Sequence, residues 1–276
     1  MKTQASIVFM ACMALSTHGF ADPAKVLVCY TASSVDAKQA KPAIEQMVGT
    51  LEELAGFPKN SFASIFTDSW QACLDLIHKE KPHFVIPSLG LYLKMKDEMG
   101  LVPISQPRIK NKDYDIYRIV VKKGAFKDLE ALKGKILSGT VLEDADFLER
   151  IVFRSKLDPS KHFVLKPSKV VLRTLRQLGE GKVDAVILTS QQFEALQGLD
   201  LAKEIEVIFE SEKVPLPGVY ALKSASAKET EKFKEALSKF CSSSNGKGFC
   251  ELFGIDGFYP VNEAYYKAVE ALWKKP

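Results

Sequence analysis

Short runs of apolar, β-branched residues recur along the chain, and a longer helical pattern follows almost every one. Residues 25–30 (KVLVCY) read as a strand. Residues 37–54 carry apolar positions near helical spacing and stop at Ala55-Gly56. Strand and helix then alternate at 61–66 with 68–78 and at 83–86 with 88–98, and strands follow at 101–105 and 114–121. The series resumes with a short helix at 128–132, a strand at 135–138 and a helix at 144–153. Segments 162–165, 170–178, 183–188 and 191–196 continue it, 205–209 and 218–222 are further strands, and helices fill most of the remainder. Such alternation predicts βαβ crossovers and parallel-type sheets covered on both faces. Two such runs, joined by the polar stretch Lys122-Lys123-Gly124, predict an α/β chain with two lobes.

The first residues stand apart from this series. Lys2 precedes a short apolar core at 7–15, and Gly19 and Ala21 set small residues at −3 and −1 of a cut before Asp22. Residues 1–21 are therefore expected to be a signal peptide, with the periplasm as the destination. The apolar core falls short of the roughly 20 residues that a membrane-spanning helix requires. A competing reading makes Cys12 a lipid-attachment site, although Phe9 and Met10 fit poorly before such a cysteine.

A formal charge of +4 on 276 residues, without a dense basic stripe, argues against nucleic acid as a partner. Cys241 and Cys250 flank a flexible SSSNGKGF loop between helical segments and are the candidate disulfide. Closing a loop this small contributes on the order of 2–3 kcal/mol. Cys29, in a strand, and Cys73, on a helix, read first as small buried hydrophobes, with a second bridge as the alternative. No Cys/His spacing points to a metal, and no glycine-rich cofactor loop, G-x-S-x-G elbow, HExxH or Walker motif is present. Neither a cofactor nor catalysis is expected.

Phe66-Thr67-Asp68-Ser69-Trp70, Pro82-His83-Phe84-Val85-Ile86-Pro87-Ser88 and Tyr117-Arg118-Ile119-Val120-Val121-Lys122-Lys123-Gly124 occur in that order. DLEALKGK (128–135), GEGKVDAVI (179–187) and Gly257-Phe258-Tyr259-Pro260 follow them. Together these stretches resemble the phosphate/phosphonate/phosphite family of ABC-transporter substrate-binding proteins. The resemblance implies two Rossmann-like lobes joined by a two-segment hinge. Residues 22–122 and 218–276 would form the first lobe and 123–217 the second. It also implies a small polar or anionic ligand in the interlobe cleft, delivered by a monomeric receptor to an ABC permease in the membrane. The alternatives are a ligand-sensing protein of the same fold feeding a membrane receptor and, further off, an exported enzyme.

In open α/β sheets, ligands bind beyond the carboxyl ends of the strands, at helix N-termini. The candidates at those junctions are Thr31 and Ser33, then Thr67, Asp68 and Ser69, then Ser88. In the second lobe they are Ser138, Thr140 and Thr189. Each also suits a plain N-cap. The resemblance adds Trp70 and Tyr117 as aromatic candidates, with core packing the competing role for Tyr117. After LKGK and its strand, family members carry a Ser/Thr-rich loop at an anion-holding helix N-terminus. Here Glu143, Asp144 and Asp146 occupy the end of that stretch. They suit the first turn of a helix, and they repel a phosphonate.

Overall fold

The computed structural model describes residues 23–29 and 37–275. The signal peptide, Cys12, and the candidates Thr31 and Ser33 lie outside the described residues. The chain first forms β1 (Ala24–Cys29), α1 (Ala37–Leu54), β2 (Phe62–Thr67), α2 (Trp70–Glu80), β3 (Phe84–Ile86), α3 (Leu89–Met99) and β4 (Val102–Arg108). Next come β5 (Tyr114–Asp115), β6 (Arg118–Lys122), β7 (Ile136–Gly139), α4 (Ala145–Phe147), α5 (Pro159–His162) and β8 (Val164–Pro167). α6 (Val171–Gly179), β9 (Ala185–Leu188), α7 (Ser190–Leu196), β10 (Ile205–Glu210), β11 (Val214–Pro215) and β12 (Val219–Ala221) follow. The chain ends with α8 (Ala227–Phe240), α9 (Ser244–Phe253), β13 (Gly257–Pro260) and α10 (Glu263–Trp273).

Two sheets organise these elements. One has the order β13-β4-β12-β3-β1-β2 and the other β10-β6-β9-β7-β8. The first sheet takes strands from both ends of the chain, so the backbone crosses between the lobes twice. At the crossings β5 and β11 pair as a short antiparallel ribbon, with Val214 opposite Asp115. β6 hydrogen-bonds to β9 and β10, which sets residues 118–122 in the second sheet rather than with the first lobe.

Neither sheet is fully parallel, in contrast to the sequence expectation. β1 runs parallel to β2 and β3, and β7 runs parallel to β8 and β9. β12, β13, β6 and β10 pair antiparallel with their neighbours. The helical crossover that imposes parallel order joins consecutive strands of one sheet. β6 and β12 arrive from the other lobe, so that constraint does not reach them.

The apolar positions of the helices bury against these sheets. Phe84 of β3 stacks on Phe233 of α8 with ring centroids 4.0 Å apart, within a core that also holds Ile44, Met47 and Leu51 of α1. Leu175, Leu178 and Leu196 cover one face of the second sheet. A further core runs through both lobes, from Leu27 and Tyr92 to Leu137 and Ile187.

Both cysteine pairs are bridged. Cys241 joins Cys250, as expected, with Cα atoms 5.6 Å apart. Cys29 joins Cys73 at 5.7 Å, which corrects their reading as unpaired small hydrophobes. Burial was the right expectation, since Cys29 is 6% exposed and Cys73 fully buried. Register supplies what the pattern lacked: Cys29 lies beside Thr67, the last residue of β2, and α2 begins three residues later. That junction brings the first turn of α2 back over the end of β1.

Candidate functional site

The carboxyl ends of β1, β3, β7 and β9 face one cleft of about 310 Å³. Cys29 ends β1 there, Ile86–Leu89 lead from β3 into α3, Thr140 follows β7 and Thr189 follows β9. Tyr114 and Asp115 of the crossing ribbon line the same cleft. Most of its wall is apolar or aromatic, with Trp70, Tyr117, Phe147, Phe249 and Phe253 among the contributors.

Five of the candidate residues meet on this wall: Trp70, Ser88, Tyr117, Thr140 and Thr189. Their polar atoms are mostly occupied by local structure. Ser88 Oγ accepts the Leu91 N–H at 3.3 Å and caps α3. Thr189 Oγ1 accepts the Gln192 N–H at 3.3 Å, while Gln192 Oε1 accepts the Thr189 N–H, a capping box that starts α7. Thr140 Oγ1 accepts from Gln192 Nε2 at 3.0 Å. The Tyr117 ring packs edge-on to Phe147 at 5.7 Å. Burial holds its phenol well above the usual range, and the nearby Asp115 and Asp144 carboxyls add to the shift.

The other candidates among the described residues do not line the cleft. Ser138 is fully buried and donates from Oγ to the Lys166 carbonyl of the adjacent strand at 2.7 Å, because its side chain alternates away from the cleft end of β7. Thr67 Oγ1 accepts the Ser69 N–H, and Ser69 Oγ accepts the Ala72 N–H as the cap of α2. Asp68 instead reaches the other lobe. Lys169 Nζ donates to its Oδ2 at 2.9 Å and to its backbone carbonyl at 3.2 Å.

Four acidic residues of the cleft, Asp115, Glu143, Asp144 and Glu194, were not among the candidates. Asp115 Oδ1 accepts the N–H groups of Ser190 and Ile116, each at 2.7 Å. Burial pushes its carboxyl above the ordinary range, against those hydrogen bonds and the Arg118 charge. Asp144 Oδ1 accepts the Phe147 N–H at 3.0 Å, the helix-starting role that its sequence context fits. Its Oδ2 and the indole Nε1 of Trp70 are both buried, and the indole N–H is the donor that faces this carboxyl. Burial raises the Asp144 carboxyl too, aided by Asp146 and opposed by the Phe147 N–H, the nearby Trp70 indole N–H and Lys94. A lone aspartate in a predicted strand carries no sequence signal for Asp115. For Asp144 the signal was an acid at the anion-holding position.

The family model described as "ABC transporter, phosphonate, periplasmic substrate-binding protein" matches residues 30–266. The chain belongs to this family. Its members are substrate-binding components of transporters, not enzymes, and they work outside the cytoplasm beside a membrane permease. No curated protein matches the chain in sequence.

Solved structures share the fold. A binding-protein component of an ABC phosphonate transporter from Pseudomonas aeruginosa aligns with a TM-score of 0.69 at 13% identity, over 91% of this chain and 86% of that one. PhnD1 from Prochlorococcus marinus, in complex with methylphosphonate, gives 0.69 and 13% over 91% and 97%. A Xanthomonas citri protein bound to ATP gives 0.68 and 11% over 92% and 96%. The two-lobed α/β architecture of the periplasmic binding proteins is thus common to all of them.

Proposed function

We propose that the protein captures a small solute in the cleft between its sheets and passes it to an ABC permease. The carrying observation is convergence: the strand ends of both sheets, with the helix N-termini that follow them, meet at a single cleft of ligand size. The β5–β11 ribbon is the natural hinge, because it is the pair of crossing segments between the sheets. In this reading the lobes close around the solute, and interactions made only in the closed form drive the change. The receptor acts as a monomer, and the export signal is removed before Asp22.

Thermal shift of the purified mature chain tests the reading. A panel of phosphate, phosphonates, phosphite, sulfonates, amino acids and amines is screened, and each hit is incubated to look for turnover. Saturable stabilisation that follows occupancy, with the hit recovered unchanged, is the expected result. Steady product formation would move the protein to the enzymes.

A further inference from the structure

Gln192 ties two residues of the cleft wall into one hydrogen-bond chain. Its side chain is buried, with the residue 4% exposed. Oε1 accepts the Thr189 N–H at 3.2 Å, and a backbone N–H can only donate. That bond fixes the sense of the amide, so the end turned to Thr140 is Nε2, which donates to Oγ1 at 3.0 Å. Thr140 Oγ1 is therefore an acceptor in this chain, and its own O–H has no acceptor among the described residues. Thr140 is 5% exposed and stands on the cleft wall. A buried hydroxyl proton without a partner is costly, and the cleft is the side from which a partner can come. Ser88 and Thr189 also accept from backbone N–H groups, and neither hydroxyl donates a hydrogen bond among the described residues.

We infer that the cleft recognises an uncharged hydrogen-bond acceptor, a carbonyl or ether oxygen, on an apolar body. Thr140 O–H is the donor, and Gln192 is the positioning residue that holds it in that sense. The inference rests on reading the cleft as the solute site and names a ligand class for it.

Charge separates this class from an oxyanion, which would accept the same proton. Lys110 and Lys112 line the cleft, and both lie against Glu194. Among the described residues no arginine lines it. The Ser190 N–H that opens α7 already goes to Asp115. An oxyanion would thus enter beside Asp115, Glu143 and Asp144 with the cations of the wall already neutralised. An ammonium group would leave the Thr140 proton unpartnered. The body of the solute lies against the apolar wall that Ile86, Tyr117, Val141 and Phe249 help to form, and its burial supplies the non-directional part of the affinity.

Thermal shift and isothermal titration of the mature chain test this with four probes on one phenyl body: benzylacetone, its alcohol, phenethylphosphonate and phenethylamine. The ketone and the alcohol are expected to bind, and the phosphonate and the amine to be weaker by roughly 10-fold or more. Thr140→Val keeps the shape without the O–H and should weaken the ketone roughly 3- to 30-fold, while Thr140→Ser restores it. Gln192→Glu keeps the capping box of α7, and at alkaline pH its ionised carboxylate takes the Thr140 proton for itself. The ketone then loses affinity while the alcohol, which donates to the freed lone pair, keeps it; a merely structural change would weaken both. An unchanged circular dichroism spectrum verifies the fold of each variant. Ketone binding that ignores the Thr140 and Gln192 substitutions, or phosphonate or amine binding with the ketone silent, overturns the inference and leaves the solute site standing. Silence from every probe and from the wider solute panel removes both.

Discussion

Gly90 on α3 abuts the carboxyl of Asp144 across the cleft; a Cβ at Gly90 would run into Oδ2 and lie 3.0 Å from the Cβ of Phe147. The two lobes touch here only because one residue has no side chain. Gly90→Ala should therefore hold the lobes apart. Alanine improves helix propensity by about 1 kcal/mol, so the first lobe itself is not expected to weaken. Overpacking costs about 1–3 kcal/mol, which lowers solute affinity by roughly 5- to 100-fold if closure is required. Calorimetric titration and small-angle scattering check this, and an unchanged affinity with unchanged dimensions refutes it.

The two disulfides should differ in weight. Cys29 and Cys73 are separated by 44 residues, Cys241 and Cys250 by 9. Loop-closure entropy assigns about 4 kcal/mol to the first and about 2.6 kcal/mol to the second. Paired Cys→Ser variants in urea denaturation should rank in that order. Equal losses would mean that burial or strain, not chain entropy, governs the effect.

Asp115 links stability to pH. Its folded carboxyl titrates above the unfolded one, so the native state holds more protons between the two values. Stability from this group is lowest near neutral pH and grows as pH falls toward the ordinary aspartate range. Acids such as Glu80 and Asp97, held low by lysine partners, act in the opposite direction. The difference between wild type and Asp115→Asn isolates the single group, because asparagine keeps the acceptor for the Ser190 and Ile116 N–H groups. Asp115→Asn should gain on the wild type as pH rises above that range. A difference that does not change with pH contradicts the assignment.

Asp68 and Lys169 join the lobes at the surface, and their side chains are 42% and 56% exposed. A pair this open contributes about 0–1 kcal/mol and is screened by salt. Lys169→Ala should leave the melting temperature within a few degrees while removing part of the salt dependence of solute binding. A large loss of stability would show a role beyond this ion pair.

Much of the fold was legible because period and punctuation agree. The helix expected at 37–54 forms over those residues despite Pro42, and Ser69 and Ser88 cap the helices that their sequence positions foreshadow. What escaped depends on contacts between distant segments. The strand expected at 114–121 breaks into β5 and β6, and β11, of two residues, carries no periodicity. The helix expected at 144–153 splits into α4 and a π-helical turn at Leu148–Val152, a change of hydrogen-bond spacing that apolar pattern does not encode. The cleft was half legible. Strand-end logic found Ser88, Thr140 and Thr189 and allowed each a capping role, which Ser88 and Thr189 fill, while the Gln192 amide that donates to Thr140 comes from a distant helix and left no local signal. Asp115 escaped because its partners, Ser190 and Ile116, converge only when the crossing ribbon meets the second sheet.

The same packing supplies the molecule with a pair of optical reporters. The sequence contains two tryptophans. Trp70 stands in the cleft wall, while Trp273 ends α10, where its carbonyl accepts from Arg150 Nη1 at 2.6 Å. The Arg150 guanidinium lies 5.5 Å from the Trp273 ring, on the π-helical turn of the second lobe. Emission from Trp70 thus senses solute arrival, and emission from Trp273 senses the seating of the last helix against the other lobe. Trp70→Phe and Trp273→Phe separate the two signals, so occupancy and domain movement can be timed independently in the unlabelled protein.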